Sequence, residues 1–113
     1  FLLQSVLHAE QNLYSLPGFE ELDTEVAGMV LEEGARICEQ VLHPLNGSGD
    51  QQGCQFEAGK VTTPDGFIAA YQAFTEAGWS SLSLPAEHGG QDLPETLNFA
   101  VEEMTCSANT AFS

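Results

Sequence analysis

Residues 63–79 read T-P-D-G-F-I-A-A-Y-Q-A-F-T-E-A-G-W and carry the sharpest helix-start signal in the chain. Thr63 can cap the free amides of a first helical turn, and Pro64 suits the first helical position. Asp65 is placed favourably against the positive end of the helix dipole. The pattern therefore predicts a helix that starts at Thr63 and runs to about Ala77.

Aromatic residues recur in this predicted helix at positions i, i+4 and i+7. They are Phe67, Tyr71 and Phe74, and the stripe they form continues toward Trp79. An aromatic stripe at this spacing is more often part of a core than a cofactor site. We therefore interpret it as core.

Two more helices are predicted upstream. Residues 1–14 have the apolar spacing of an amphipathic helix, which ends before the Pro17-Gly18 turn. A second helix begins near Asp23 or Thr24, either of which can cap it, and runs to about residue 43, just before a proline. The sequence thus predicts helix, turn and helix before the first long connection.

The clearest predicted loop is N-G-S-G-D-Q-Q-G, residues 46–53, which has no apolar side chain. It lacks the alternating ligands and the terminal Glu of an EF-hand, so we do not expect calcium there. Residues 56–62 are expected to form a small hairpin or an exposed turn. Residues 79–94 are irregular, and a last helix starts at Pro94 and Glu95.

The composition excludes several functions. The chain has 113 residues, 17 acidic against 2 basic side chains and a net charge of -15. A protein that grips phosphates needs Lys or Arg to displace counterions, and only Arg36 and Lys60 are available. Nucleic acid and anionic membranes are therefore not expected partners. Because the three cysteines suggest reduced thiols, we expect a cytoplasmic protein.

No catalytic or metal motif stands out. Three cysteines without a C-x-x-C pair indicate reduced thiols instead of a disulfide framework. The three histidines have no spacing that links them to a nucleophile or to zinc ligands. Composition and spacing alone reach no further than an acidic, mainly helical domain, so we assign no catalytic residue and no metal ligand.

Several segments together carry a resemblance to a known family. The longest are G-W-S-S-L-S-L-P-A-E-H-G-G-Q-D-L-P, residues 78–94, and V-E-E-M-T-C-S-A-N-T-A-F-S, residues 101–113. Shorter ones are L-P-G-F at 16–19, V-L-H-P-L-N at 41–46, S-G-D-Q-Q-G-C at 48–54 and V-T-T-P-D-G-F at 61–67. The whole chain resembles the N-terminal domain of acyl-CoA dehydrogenases, in the subgroup with an N-terminal extension that includes 3-methylmercaptopropionyl-CoA dehydrogenase.

The resemblance implies an all-α fold, a bundle of about four helices with long irregular connections. Residues 1–43 would include the N-terminal extension helices and residues 44–113 the helical core, as a truncated part of a longer chain. It also implies a three-part enzyme that holds FAD where its domains meet. Such an enzyme removes the α-proton of an acyl-CoA with a glutamate and transfers the β-hydride to the flavin, which gives 2-enoyl-CoA.

The same resemblance implies the site and the partners. The end of the last helix would lie beside the acyl tail and flavin, and we expect Asn109, Phe112 and Ser113 to line that pocket; ordinary core is the alternative for Phe112. The catalytic base and most flavin contacts would lie outside these residues, so the fragment alone is expected to be inactive. The complete enzyme would serve fatty acid metabolism as a homo-oligomer that passes electrons to an acceptor.

The chain departs from the family in its acidity, and Gly47 stands where a basic residue is common. Adaptation to salt is one explanation, and compensating basic residues elsewhere in the longer protein are another. A function of a different class also stays open. It is a stand-alone acidic helical module that binds a basic partner without catalysis.

Overall fold

The computed structural model describes residues 1–113 and is mostly helical. The four α-helices are α1 (Thr24–Ile37), α2 (His43–Gln52), α3 (Phe67–Glu76) and α4 (Glu95–Ala108). The strands β1 (Gln55–Glu57) and β2 (Lys60–Thr62) form an antiparallel hairpin, in which Phe56 is paired with Val61. The predicted all-α class, with about four helices and long irregular connections, is confirmed, and the hairpin lies where the sequence places it.

The prediction that the second helix ends at His43 is wrong. A π-helical turn, Cys38–Leu42, joins α1 directly to α2, and the helical path continues to Gln52. Pro44 has no amide hydrogen, and in a regular helix its ring would clash with the carbonyl four residues earlier. The wider π-helical turn just before it, closed by the His43 amide donating to the Cys38 carbonyl, lets the helix pass the proline.

The predicted loop at residues 46–53 is also wrong, because this stretch is α2 up to Gln52. Gly49 is buried there, and a Cβ atom on it would lie 2.6 Å from Cε2 of Phe67. Gly49 therefore leaves room for the Phe67 ring to lie close to the α2 backbone. Tertiary packing overrides the weak helix propensity of this glycine-rich segment.

The helix predicted from Thr63 instead begins at Phe67. Gly66 precedes it with a left-handed backbone (φ +87°), and no side chain caps the helix. A Cβ atom on Gly66 would lie 2.7 Å from Cδ2 of Leu45, so this turn is pressed against α2. The signal at Thr63 and Pro64 marks a turn that docks on a neighbouring helix, and α3 starts after it.

The N-terminal stretch is two short π-helical segments, Leu2–Val6 and Glu10–Tyr14, instead of one helix. His8, with φ +48°, separates them. The second segment packs into a core cluster made of Ala9, Tyr14, Leu22, Ala27 and Leu97. A separate cluster is made of Cys38, Leu42 and Ala70.

α1 and α4 run side by side in the same direction with one constant register. Three contacts connect residues that are 67 positions apart. In the first pair, a Cβ atom added to the glycine would lie 3.1 Å from Cγ2 of the valine. Hydrogen bonds of 3.7 Å and 3.1 Å join the second and third pairs. The pairs are Gly34 with Val101, Cys38 with Thr105, and Leu42 with Asn109. Each step moves one helical turn along both elements, so one seam fixes the two helices together.

The molecule is a flattened slab of 54 × 31 × 17 Å. Its radius of gyration is 16.5 Å, whereas a compact chain of this length has about 13 Å. Only 16 of 113 residues are buried, and the accessible surface is 7535 Å², against about 6,000 Å² for a compact protein of this mass. None of its helices has the length and apolar character needed to span a bilayer.

Two glycines of α2 test whether residues 46–53 are a packed helix. A Cβ atom on Gly47 would have no neighbour within 4 Å, so Gly47→Ala should stabilise the protein by about 0.5–1 kcal/mol through helix propensity. Gly49→Ala should destabilise it by about 1–3 kcal/mol, because the added methyl overpacks against Phe67. Urea unfolding followed by circular dichroism measures both. Equal effects of the two substitutions would contradict the helical packing.

Candidate functional site

A cavity of about 630 Å³ opens between α3, the turn at Trp79–Ser81 and α4. We call it the aromatic cavity, because four aromatic side chains line it: Tyr71, Phe74, Trp79 and Phe112. The aromatic stripe predicted as core is therefore partly core and partly cavity wall. Tyr71 is 61% exposed, whereas Phe67 and Phe74 are half-buried.

Phe112 is fixed in the wall by two other rings. Its centroid lies 5.6 Å from that of Phe74 in an edge-to-face arrangement and 6.3 Å from that of Phe67 in a tilted one. Such pairs add about 0.5–1.5 kcal/mol to the burial of the rings. The ring is therefore a fixed wedge between α3 and the end of α4, with one side open to the cavity.

Asn109 lies behind this wall, at the end of α4. It is 1% exposed, and its Nδ2 donates to the carbonyl oxygen of Leu42 at 3.1 Å, while its Oδ1 has no partner within the chain. Asn109 thus ties α4 to the π-helical turn. Of the three residues expected to line a pocket, the structure puts Phe112 and Ser113 on the cavity wall and Asn109 in the helix interface behind it.

Ser113 is at the rim, where it accepts a hydrogen bond from the Cys106 thiol at 3.2 Å. Sequence reasoning missed the opposite rim, which the irregular segment 79–94 supplies. There Glu95 accepts hydrogen bonds from Ser83 at 2.9 Å and from Asn98 at 3.2 Å. The Glu95 and Asn98 spacing of three is a helical signal, but nothing local in the sequence predicts the bond from Ser83 across twelve positions.

The cavity has acidic groups and no basic one. Glu95 and Glu102 are among its lining residues. Arg36 is held by Glu33 at 2.8 Å on α1, and Lys60 belongs to β2. The cavity therefore suits an uncharged or apolar group better than a phosphate.

Cys38 is a structural thiol. It is 4% exposed and lies 3.7 Å from the Thr105 hydroxyl, which donates to the Val101 carbonyl. Burial raises the pKa of the Cys38 thiol; the hydrogen bond that it shares with Thr105 opposes this shift, and the nearby Glu39 adds to it. The thiol is therefore protonated at neutral pH. All three cysteines are unpaired in the structure.

The chain is similar to a curated protein, the 3-methylmercaptopropionyl-CoA dehydrogenase of Ruegeria pomeroyi. The two are 40% identical over 98 residues, which is 87% of this chain and 17% of the relative. The chain thus spans 17% of the length of that enzyme. No protein-family model matches it. The similarity confirms the resemblance to acyl-CoA dehydrogenases that the sequence segments indicate.

The raised pKa of Cys38 predicts a loss of stability at high pH. The Cys38 thiol contributes fully to the stability of the fold below the unfolded thiol pKa of 9.0. This contribution is lost as the pH rises through the pKa of the folded state, because the unfolded chain ionises first. Urea midpoints from pH 7 upward should be level and then fall above about pH 9. Cys38→Ala should flatten this fall. An unchanged fall in that variant would contradict the assignment.

Asn109 offers a second test of the seam. Asn109→Leu keeps the volume but removes the side-chain hydrogen bond to the Leu42 carbonyl, which should cost about 0.5–1.5 kcal/mol of unfolding free energy. Asn46→Leu, on the exposed side of α2, is the matched control and should change stability by less than about 0.5 kcal/mol. Chemical unfolding of both variants measures the difference. Similar losses in the two would show that Asn109 is not a specific tie.

Proposed function

The chain is a homologue of an acyl-CoA dehydrogenase, and on that premise we propose that it is the N-terminal helical part of a longer FAD-dependent enzyme of this kind. The enzyme would oxidise an acyl-CoA to 2-enoyl-CoA and pass the electrons to a separate acceptor, as a homo-oligomer. The observation that carries the proposal is the aromatic cavity, whose lining includes Phe112 and Ser113, two of the residues that follow α4.

The large accessible surface of the chain supports the proposal that it is one part of a larger protein. Its 7535 Å² exceed the area of a compact protein of its mass by about 1,500 Å². This excess is roughly twice the ~800 Å² that one partner buries in a standard protein interface. Large apolar side chains contribute to it, including Phe56, Val61, Ile68 and Phe99, each more than half exposed. Later domains of the same polypeptide would cover such a surface.

These residues would form the apolar part of the active site, which holds the acyl chain. FAD, when bound, would accept the β-hydride of the acyl group. The cavity has no basic side chain for the pyrophosphate, so that part of the cofactor would be held by other domains. What these residues can supply is a dry aromatic wall, which orients the acyl chain and strengthens the electrostatic interactions at the thioester carbonyl by excluding water.

The name of the relative suggests a substrate class. The acyl group in that name contains a thioether, and sulfur contacts aromatic rings favourably by about 0.3–1.5 kcal/mol. We therefore propose that the aromatic cavity receives the tail of a short acyl-CoA whose chain contains a thioether sulfur. Phe112 and Ser113 would lie beside that tail, and Asn109 would hold them in place.

The full-length purified protein tests the enzyme proposal. It should show the visible absorbance of bound flavin, and that absorbance should bleach when 3-methylmercaptopropionyl-CoA is added without an electron acceptor. A protein that binds no flavin even after FAD is added, and that does not bleach, would overturn the proposal. The acidic interaction module would then be the better explanation.

A matched pair of substrates tests the cavity. Pentanoyl-CoA differs from 3-methylmercaptopropionyl-CoA only by a methylene in place of sulfur. The wild-type enzyme should prefer the thioether in kcat/KM by roughly two- to tenfold, the range that a sulfur–aromatic contact supplies. Phe112→Leu should reduce this preference toward one while FAD binding is retained.

Ser80→Ala, at a lining residue without an aromatic ring, is the control for Phe112→Leu and should keep the preference. A Phe112→Leu enzyme with the wild-type ratio of the two substrates would contradict the placement of the tail beside this ring.

A further inference from the structure

A second depression, on the other side of α4, lies where this helix runs beside α1 and the π-helical turn. We call it the α1–α4 groove. It is open and has a volume of about 690 Å³. Its apolar floor consists of Leu31, Ala35, Cys38, Ala100, Met104 and Ala108.

The shape of the groove follows from the parallel register of its two helices. The floor residues recur every three or four positions along each helix, so they form a straight trough. From Leu31 to His43 the trough is about 18 Å long at the rise of an α-helix. Alanines at 35, 100 and 108 keep the floor low. A trough of this form between two helices accepts a third helix, packed as in a bundle.

The rims of the groove are acidic on both sides. Glu39 stands on the π-helical turn and Glu103 on α4, and both are exposed without a basic partner. No lysine or arginine lines the groove. A second copy of this chain would bring another net charge of -15 to the contact, and like charges disfavour such a pairing. The complementary occupant is a helix with positive charge on its flanks.

We propose that the α1–α4 groove holds an amphipathic helix from another part of the same polypeptide, with Lys or Arg on both sides of its apolar face. The apolar face covers the floor, and the basic side chains meet Glu39 and Glu103. This inference rests on the proposed function, because it takes the chain to be part of a longer enzyme. The relative, of which the chain covers 17%, leaves ample polypeptide to supply such a helix.

Photo-crosslinking of the full-length protein tests the occupant. Ser107 is exposed and lines the groove, so p-benzoylphenylalanine is placed at position 107. After irradiation and digestion, mass spectrometry should identify a peptide of the same polypeptide with helical apolar spacing and flanking Lys or Arg, in a product that keeps the monomer mass on a denaturing gel. A product of twice that mass, a link to another protein, or no link would each overturn the proposal.

Charge reversal tests the recognition. Glu39→Lys with Glu103→Lys should make amide hydrogen exchange in the crosslinked helix about tenfold faster, because like charges would then face each other. Glu39→Gln with Glu103→Gln should have a smaller effect in the same direction, in case the lysine variant does not fold. Asp50→Lys with Glu76→Lys is the matched control with the same change in charge at exposed positions outside the groove. Equal acceleration in the control would overturn the proposal.

The flavin spectrum of the same sample separates this inference from the proposed function. Bound flavin without a crosslink to the same polypeptide would overturn the groove assignment and leave the enzyme proposal standing. A crosslink to a basic helix of the same polypeptide in a protein that binds no flavin would support the groove and overturn the enzyme proposal.

Discussion

The seam between α1 and α4 is the contact on which the rest of this structure depends. It repeats at each helical turn with one offset of 67 positions, as glycine against valine, thiol against hydroxyl, and carbonyl against amide. Because Gly34 has no side chain, the two backbones come close enough for the hydrogen bonds in the next two helical turns to form. Once this register is set, the groove lies on one side of α4 and the aromatic cavity on the other.

The π-helical turn extends the seam past Pro44. A helix that stopped at the proline would leave α2 without a fixed direction, and the ring of Phe67 would have no glycine surface to rest on. The extra residue in the turn also presents the Leu42 carbonyl to Asn109. A local irregularity therefore sets both the length of the helical frame and the position of the end of α4, as is common for π-helical turns near functional sites.

Sequence reasoning could predict the helices that have ordinary local signals, such as α4 with Pro94 before it, and the hairpin with its glycine turn. It failed where tertiary contacts replace local preference. The segment around Gly49 looks like a loop because packing against Phe67 requires residues without bulk, and the Thr63-Pro64 signal marks a turn docked on Leu45. At the candidate site, the family resemblance predicted a role for the short stretch after α4. The rim around Ser83 and Glu95 could not be predicted, since twelve positions separate the two hydrogen-bonded residues.

The contact between Gly49 and the Phe67 ring also links α2 to the interior of the cavity. Phe67 touches Phe112, which touches Phe74, so a row of three rings runs from a backbone surface on α2 to the cavity wall. A change in bulk at the glycine would be passed along this row as a displacement of rings, because close-packed side chains have little free volume to absorb it. The width of the cavity is thereby open to evolutionary adjustment from a site that no bound molecule touches.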